Sequence, residues 1–273
     1  MIKYLQTGLL MITGLAGYMS GHPTDPSWFT ILTLLASLFL TVGGSTVVNM
    51  VIDRDIDGIM QRTAKRPIPT GVVTTKEGLT LGLLMIVVGT WWALTISIPF
   101  TLVILSGVFF DVIIYTHWLK RRTPWAIIWG GIAGGMPILA GRTAAIGMPD
   151  TTGLLLALAI LLWIPTHILT LSIKYANDYA NAKVPVFPNQ YGVKLTRLII
   201  GLSTSGATLV MLSTVYILGV ESFLLWIARG LGGTLVCFTL ASILKPTPKL
   251  NFIVYKLASL YMLGSMILLI VGA

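Results

Sequence analysis

Charged residues and cysteines are both scarce in this sequence of 273 residues. Only 10% of the residues are charged, with 9 acidic and 18 basic side chains, whereas a soluble domain carries roughly a quarter. So few charges cannot coat a globule of this length, which excludes a water-soluble fold. The single cysteine, Cys237, lies inside an apolar run, which excludes a disulfide framework and predicts a buried packing residue.

Apolar residues dominate instead: 55% of the chain is hydrophobic, and the mean hydropathy is +0.89. They fall in long blocks, each near the roughly 20 residues that a helix needs to cross a bilayer. We therefore predict an all-α polytopic membrane protein that forms a single domain over residues 1–273. Its nine predicted spans lie at about 4–20, 28–51, 77–98, 99–117, 125–146, 153–174, 195–218, 221–244 and 251–272.

The basic residues alternate with the spans and do not form one patch, so the net charge of +9 indicates membrane topology and not a nucleic-acid partner. The odd-numbered connections carry only Arg142. The even-numbered connections carry Arg54, Arg62, Lys65, Arg66, Lys76, Lys120, Arg121, Arg122, Lys174, Lys183, Lys194, Arg197, Lys245 and Lys249. By the positive-inside rule, the N-terminus and these loops are cytoplasmic, and the C-terminus is outside.

The chain also repeats itself weakly. In each half, the second span leads into a polar loop with an acidic residue, then a Pro- and Gly-containing stretch, and then a new span. This pattern predicts two pseudo-repeats, about residues 1–120 and 121–250, followed by a final helix, with both polar loops facing a shared central cavity. Chance placement of Pro and Gly in loops is the alternative.

The acidic segment after the second span carries the strongest chemical signal. Asn49, Asp53 and Asp57 recur every four residues, which places them on one face if the helix continues, and Asp55 lies between the two aspartates. Clustered carboxylates repel one another unless a cation neutralises them, and oxygen ligands favour Mg²⁺ or Mn²⁺. The cations Arg62, Lys65 and Arg66 follow at once. Acids and cations together indicate a metal-bridged diphosphate; internal salt bridges in a solvated loop are the alternative.

Two further segments carry polar residues at the ends of spans. His167, Lys174 and Asp178 lie within about 20° of one face if a single helix holds all three, although a histidine in an apolar span is often only a satisfied core residue. Lys120 and Arg121 belong to a run of three cations that either binds phosphate or anchors the loop. The glycine-rich span that follows permits close helix approach or clears space for a bulky substrate.

These residues resemble the UbiA-type intramembrane prenyltransferases over about residues 3 to 200. The spacing Asn49-x-x-x-Asp53-x-x-x-Asp57 is similar to the acidic motif of that family. The finer pattern resembles its protoheme IX farnesyltransferase (haem o synthase) branch, and consists of Asp53-Arg54-Asp55-Ile56-Asp57, Met60, Arg62-Thr63, Arg66, Tyr115-Thr116, Trp118-Leu119-Lys120-Arg121, Thr123, Gly130-Gly131, Ala133-Gly134, Pro137, Asp178-Tyr179, Ala182, Pro185, Pro188 and Gly192.

The resemblance implies transfer of a farnesyl group from farnesyl diphosphate to a vinyl group of haem b, which is a substrate and not a cofactor. It implies metal ligands at Asn49, Asp53, Asp57 and Asp178, with Lys120 joining the three aspartates in catalysis. Diphosphate would bind to Arg62, Arg66, Lys120, Arg121 and Lys174, and the acceptor to His167 and Tyr115. It also implies Mg²⁺ or Mn²⁺, a place in the plasma (inner) membrane, and a transient partner in haem a or terminal oxidase assembly.

The sequence departs from that branch at three places. Trp163-Ile164-Pro165-Thr166-His167 keeps the Trp and His of the branch's Trp-Gln-x-Pro-His motif but lacks its Gln and shifts its Pro, Asn177 replaces a common acidic residue, and Arg142 replaces a usual aromatic residue. These departures leave open an aromatic (quinone precursor) or glycerol-type lipid acceptor. A secondary transporter is a further alternative, but it usually carries its charges near the midplane, where Asp111, Arg229 and Lys256 are the ionisable candidates besides His167.

Overall fold

The computed structural model describes residues 4–23 and 27–272, and every regular element in these ranges is a helix. The elements are α1 (Tyr4–Met19), α2 (Trp28–Ile52), α3 (Arg54–Ile59), α4 (Thr75–Leu94), α5 (Ile98–Val108), which continues as a π-helix (Phe109–Leu119), α6 (Ala126–Ile146), α7 (Thr151–Lys174), α8 (Ala176–Asn181), α9 (Phe187–Ile217), α10 (Ser222–Leu244) and α11 (Pro248–Gly272). The two short helices, α3 and α8, each follow a long one.

The helix ends follow from local chemistry. Thr74 and Glu77 form a capping box at the start of α4, in which the Thr74 hydroxyl accepts from the Glu77 N–H at 3.2 Å. The Asp150 carboxylate accepts from the Gly153 N–H at 2.8 Å at the start of α7. α6 ends at Gly147, whose φ of +88° suits a residue without a side chain. Each cap satisfies backbone groups that the first or last helical turn leaves unpaired.

Glycines bring some of the long helices into close contact. A Cβ at Gly141 of α6 would lie 1.8 Å from the carbonyl oxygen of Gly14 of α1, so only a glycine permits this crossing. At Gly130, by contrast, a Cβ would lie 3.2 Å from the ring of Tyr115, and the missing side chain makes room for that ring. Within the predicted glycine-rich stretch, close helix approach occurs at Gly135, where a Cβ would lie 2.8 Å from the carbonyl oxygen of Ala157 of α7.

Seven helices are long and apolar enough to cross a membrane: α2, α4, α5 with its π-helical continuation, α7, α9, α10 and α11. The other two predicted spans correspond to α1, which has only 16 residues, and to α6, whose glycines and Arg142 lower its hydropathy. Large apolar side chains face outward, including Trp91 at 75% and Phe223 at 71% exposure. The chain is a multi-pass membrane protein.

The prediction for Cys237 was wrong, because its side chain is exposed on the outer surface of α10. In a membrane protein the outward surface is apolar too, so an apolar run does not distinguish a packed position from an exposed one. The error leaves the exclusion of a disulfide framework unchanged, since the chain has a single cysteine.

The connections after α2, after the π-helix, after α7 and after α10 lie at one end of the bundle, here called the Asp53 end. Contacts between Asp53 and Lys120 and between Asp55 and Arg121 join the first two of these connections. The opposite end, here called the Arg142 end, holds the remaining connections and the ion pair of Arg142 with Asp150. Most of the basic loop residues belong to the Asp53 end.

Candidate functional site

The acidic segment after α2 presents its carboxylates on two faces. The N–H groups of Asp53 and Asp57 donate to the carbonyls of Asn49 and Asp53 at 2.9 and 2.8 Å, so the helical register continues from α2 into α3. Asp53 and Asp57 are only 4% and 3% exposed, whereas the side chain of Asp55 is 60% exposed. Asn49, Asp53 and Asp57 thus follow one line, and Asp55 points away from it.

Each buried aspartate forms an ion pair. Lys120 reaches across from the end of the π-helix to the Oδ2 atom of Asp53, and Arg66 binds Asp57 at 2.5 Å. Burial raises the pKa of Asp53, and the neighbouring ammonium group of Lys120 offsets part of that effect. Lys120 and Arg66, which the sequence predicted to bind phosphate, therefore contact Asp53 and Asp57, which it predicted to bind a metal ion.

Asp55 forms a third and more exposed pair. Both of its carboxylate oxygens accept hydrogen bonds from the Arg121 guanidinium at 2.7 Å, and Arg121 also donates to the Ile52 carbonyl at 2.9 Å. The hydrogen bonds from Arg121 lower the pKa of Asp55 to about 2. This pair ties the loop after the π-helix to the end of α2.

Two buried oxygen atoms in this cluster lack a hydrogen-bond donor, namely Oδ1 of Asn49 and Oδ1 of Asp53. Buried polar atoms are nearly always paired, so these two acceptors, one helical turn apart, are available to an ion or a water molecule. Within residues 4–23 and 27–272, no three His, Cys, Asp or Glu side chains gather closely enough to hold a metal ion. These residues fit a Mg²⁺ ion that takes a few protein oxygens and completes its shell with phosphate.

The two polar loops of the predicted repeats meet at the Asp53 end. A small apolar cluster joins α3 to the α8 region; its members are Ile56, Met60, Ala182, Val184 and Tyr179. The cluster brings the acidic segment against the segment that holds Asp178. The structure therefore places these two loops next to each other.

Beside this cluster, two predicted phosphate ligands have no carboxylate partner among the described residues. The Arg62 guanidinium lies 5.7 Å from the centre of the Tyr175 ring, and the Lys174 ammonium lies 5.2 Å from the same ring. Asp178 is half-buried, and its side chain forms no hydrogen bond or ion pair with the described part of the chain. Two cations thus lie beside the Tyr175 ring, and the unpaired Asp178 follows three residues later in the chain.

A small pocket of about 40 Å³, partly open to solvent, lies next to Lys120. Tyr115, Ser172 and Tyr179 contribute polar groups to its wall, and Val184 and Phe187 contribute apolar ones. The Lys120 ammonium also lies 5.9 Å from the centre of the Tyr115 ring. Tyr115 and Lys120 therefore share this pocket, and Lys120 connects it to Asp53.

His167 lies between two aromatic rings and not beside the acids. Its ring centre is 5.0 Å from that of Trp163 and 4.7 Å from that of Tyr255 on α11. The Ser259 hydroxyl lies 3.4 Å from its Nδ1 atom. The placement of His167 and Asp178 on one continuous helix was wrong, because α7 ends at Lys174 and α8 begins only after Tyr175.

The sequence analysis missed the contact of Asp111 with the acidic segment. Asp111, in the first turn of the π-helix, accepts hydrogen bonds from Ser45 at 2.5 Å and from Asn49 at 2.7 Å. Ser45 precedes Asn49 by four residues, so the polar repeat of the acidic segment extends one turn into the span. That spacing, and the rarity of an acid inside an apolar run, were the available signals.

Comparison with known proteins places the chain among prenyltransferases. The model of the UbiA prenyltransferase family matches residues 10–262. A protoheme IX farnesyltransferase from Archaeoglobus fulgidus is 40% identical over 216 residues, which cover 79% of this chain and 75% of that protein. A protoheme IX farnesyltransferase from Korarchaeum cryptofilum is 43% identical over 201 residues, covering 72% and 67%.

Solved structures share the fold at much lower identity. A digeranylgeranylglyceryl phosphate synthase superposes with a TM-score of 0.80 at 20% identity, covering 96% of this chain and 92% of that one. A UbiA homologue from Archaeoglobus fulgidus bound to GPP and Mg²⁺ superposes with a TM-score of 0.67 at 13% identity, covering 97% and 98%. At these identities the likeness establishes the helical architecture alone.

Proposed function

The chain belongs to the UbiA prenyltransferase family, and on this premise we propose that it transfers a farnesyl group from farnesyl diphosphate to a vinyl group of haem b, forming haem o. The observation that carries the diphosphate site is the pair of unpaired oxygens of Asn49 and Asp53 beside the cations of the Asp53 end. The acceptor rests on the relatives that are protoheme IX farnesyltransferases and cover most of the chain.

Asn49, Asp53, Asp57 and Asp178 would hold a divalent cation, Mg²⁺ or Mn²⁺. Support comes from the unpaired oxygens of Asn49 and Asp53 and from the lack of an ion pair at Asp178 among the described residues. The related Archaeoglobus fulgidus structure contains GPP together with Mg²⁺. When bound, such a cation withdraws charge from the departing diphosphate and so favours breakage of the allylic C–O bond.

The cations of the site divide into two groups by their partners. Arg62 and Lys174 have no carboxylate partner in the described part of the chain and are available to phosphate oxygens directly. Arg66, Lys120 and Arg121 contact carboxylates in the free protein. In our proposal these three turn to the diphosphate once the carboxylates bind the cation, which keeps every charge compensated during the exchange.

Tyr115 and His167 would contact the acceptor. Tyr115 lines the pocket beside Lys120, and its ring could pack against the flat acceptor or against the prenyl chain. The rings of Trp163, His167 and Tyr255 form a row along α7 and α11, which suits a large aromatic ligand. The apolar surroundings would exclude water from the allylic cation until the electron-rich vinyl group attacks.

For topology, we propose nine spans, with α1 and α6 crossing the plasma membrane beside the seven longer or more apolar helices. The Asp53 end faces the cytoplasm together with the N-terminus, because the basic loop residues concentrate there. The domain spans residues 1–273, and its pseudo-repeats, about 1–120 and 121–250, each place a short helix, α3 or α8, after their second long helix. A partner in haem a or terminal oxidase assembly would receive the product.

The proposal is tested with purified protein in detergent or lipid nanodiscs, supplied with farnesyl diphosphate, Mg²⁺ and haem b. Mass spectrometry should detect farnesylated haem, and a chelator should stop its formation. The matched reactions contain a quinone precursor or a glycerol-type lipid acceptor in place of haem b. Prenylation of one of these, with haem b unchanged, would reject the acceptor assignment and retain the prenyltransferase site.

A further inference from the structure

One acidic residue, Asp111, lies inside a membrane helix and takes no part in the proposed function. Asp111 belongs to the π-helix that continues α5, within a stretch that is apolar enough to cross the membrane. Acids at such positions are costly and are usually retained for a specific partner. The partners of Asp111 are Ser45 and Asn49, both on α2.

The hydrogen bond between Asn49 and Asp111 fixes which way the Asn49 amide faces. A carboxylate only accepts hydrogen bonds, so Asn49 must present its NH₂ group to Asp111, at 2.7 Å. The amide oxygen, Oδ1, then faces the other way, and it is one of the two buried oxygens without a donor. The other, Oδ1 of Asp53, lies one helical turn further along the chain.

Without Asp111, the Asn49 amide would be free to turn by half a rotation. Its NH₂ group would then face the cation site, and an amide NH₂ carries no lone pair suited to Mg²⁺, which takes oxygen ligands. Residues that hold a metal ligand in its productive orientation typically change metal affinity by about 10- to 100-fold when they are replaced. Loss of Asp111 should therefore lower the affinity of the site for the cation.

The π-helix explains how one element supplies both Asp111 and Lys120. Nine residues of an α-helix make about 2.5 turns, which would place these two side chains on opposite faces. The wider i→i+5 winding, present in the hydrogen bond from the Lys120 N–H to the Tyr115 carbonyl at 2.8 Å, makes the same nine residues about two turns. Both side chains consequently reach α2, Asp111 at Asn49 and Lys120 at Asp53.

We propose that Asp111 is a positioning residue, which orients the Asn49 side chain so that its amide oxygen faces the divalent cation of the prenyl diphosphate beside Asp53. The inference rests on the proposed function, because it assigns a partner to a ligand of that site. Ser45 donates to the same carboxylate oxygen at 2.5 Å and stabilises Asp111 in the apolar span.

The test measures Mn²⁺ affinity by electron paramagnetic resonance, with a non-hydrolysable farnesyl thiodiphosphate present, for the wild type and three variants. Asp111→Asn keeps the side-chain shape but introduces an amide that can donate to the Asn49 oxygen, so Mn²⁺ affinity should fall about 10- to 100-fold. The double variant Asn49→Asp with Asp111→Asn inverts the pair: the amide introduced at position 111 donates to one oxygen of the carboxylate introduced at position 49 and leaves the other oxygen free. It should recover most of the lost affinity.

Ser45→Ala is the matched control, because it removes the other donor to Asp111 and leaves Asn49 in place. Its Mn²⁺ affinity should stay within about threefold of the wild type, well under the loss expected from a changed ligand orientation. Mg²⁺ titrations of turnover give a second readout: Asp111→Asn should raise the half-saturating Mg²⁺ concentration more than it lowers kcat at saturation. Melting temperatures accompany each measurement.

Unchanged Mn²⁺ affinity in Asp111→Asn, or a double variant no better than the single one, would overturn the positioning role. A Ser45→Ala loss as large as that of Asp111→Asn, at an unchanged melting temperature, would overturn it too, since loss of any polar contact of Asp111 would then have the same effect as a change at its contact with Asn49. If the wild type itself binds no Mn²⁺ with the thiodiphosphate, the metal site of the proposed function fails. That result is distinct from a failure confined to Asp111.

Discussion

Asp53 and Asp57 are buried carboxylates that the protein satisfies with its own cations, Lys120 and Arg66. Removing one partner of a buried ion pair leaves the other uncompensated and costs about 3–5 kcal/mol. A truncation to alanine would therefore mix a structural effect with a chemical one. Amide replacements also remove the charge, but they retain the shape and an oxygen acceptor for the partner cation, which keeps the structural effect smaller.

We expect Asp53→Asn and Asp57→Asn each to reduce prenyl transfer to background, because an amide is a far weaker ligand for Mg²⁺ than a carboxylate. Asp55→Asn is the matched control in the same segment. Its side chain is 60% exposed and pairs with Arg121 at the surface, where such a pair contributes about 0–1 kcal/mol. Turnover and melting temperature of all three variants give the test, and near-wild-type turnover of both buried variants would contradict the metal assignment.

Two cations of the loop after the π-helix, Lys120 and Arg122, allow a specific phosphate contact to be distinguished from a general contribution of charge to the loop. Lys120→Met should weaken binding of farnesyl thiodiphosphate by about 10- to 150-fold, which corresponds to about 1.5–3 kcal/mol for a hydrogen bond to a charged group. Arg122→Met removes one positive charge from the same loop, and Arg122 forms no ion pair with the described residues. Its affinity should change by less than about threefold, a difference below about 1 kcal/mol. Equal losses of affinity in the two variants would show that Lys120 contributes only its charge and makes no specific contact with the phosphate.

At the scale of elements, the Arg142 end is held by one guanidinium that joins three helices. Arg142 of α6 donates to the Ser20 carbonyl after α1, and to both carboxylate oxygens of Asp150, the N-cap of α7, at 2.8 and 3.0 Å. The arginine is only 9% exposed. This residue departs from the usual aromatic of the family branch, and the structure gives it a structural role far from Asp53.

We expect Arg142→Met to lower the melting temperature by several degrees without changing farnesyl thiodiphosphate affinity. Burial alone would raise the pKa of Asp150, but the hydrogen bonds from Arg142 and from the Gly153 N–H lower it. A lowered folded-state pKa stabilises the fold fully above about 4, the ordinary value for aspartate, and the stabilisation is lost as the pH falls through the folded-state value. The difference in melting temperature between wild type and Arg142→Met should therefore shrink in acid.

Unfolding followed from pH 7 to pH 3 gives this comparison. Ser20→Ala is the matched control, because its carbonyl still accepts from Arg142. It should therefore retain the wild-type pH dependence. A difference between wild type and Arg142→Met that is the same at every pH would assign the stability to packing and not to the ion pair.

The long helices were predictable from the sequence, because apolar runs of span length are set by bilayer thickness. The boundaries of α2, α7 and α10 differ from the predictions by at most two residues. The π-helix was not predictable, because such winding is rare and the apolar run gives no local sign of it. The break between α7 and α8 at Tyr175 was not predictable from local sequence either. It separates Asp178 from the helix that carries His167, and the position of α8 depends on its packing against α3.

Site membership was predictable only where residues cluster along the chain. The spacing of Asn49, Asp53 and Asp57 was sufficient to indicate a cation site, and the structure adds the two unpaired oxygens that support it. Asp111 lies 62 residues from its partner Asn49, and no spacing rule connects them. The pairing of Lys120 with Asp53, over 67 residues, was hidden in the same way, because tertiary contacts decide which cation meets which acid.

In the whole molecule, the charged groups of the site and the aromatic groups that would bind the acceptor lie at different depths. Three ion pairs and the unpaired oxygens of Asn49 and Asp53 lie at the Asp53 end. The row of Trp163, His167 and Tyr255 lies deeper, between α7 and α11. A substrate with a charged head and a long apolar tail matches such a layout. The acceptor must then meet the allylic carbon within the apolar part, near the aromatic row.

The acceptor assignment predicts that His167 affects haem and not the diphosphate. His167→Ala should reduce formation of farnesylated haem by at least about tenfold, roughly 1.4 kcal/mol in transition-state stabilisation, and leave farnesyl thiodiphosphate affinity within about threefold of the wild type. His167→Phe keeps a ring between Trp163 and Tyr255 and removes the two nitrogens. If the nitrogens contact the haem, both variants lose haem-dependent turnover and the haem spectrum shifts. If the ring only packs between the helices, His167→Phe retains turnover and His167→Ala melts at a lower temperature. That result would contradict the proposal that His167 binds the acceptor.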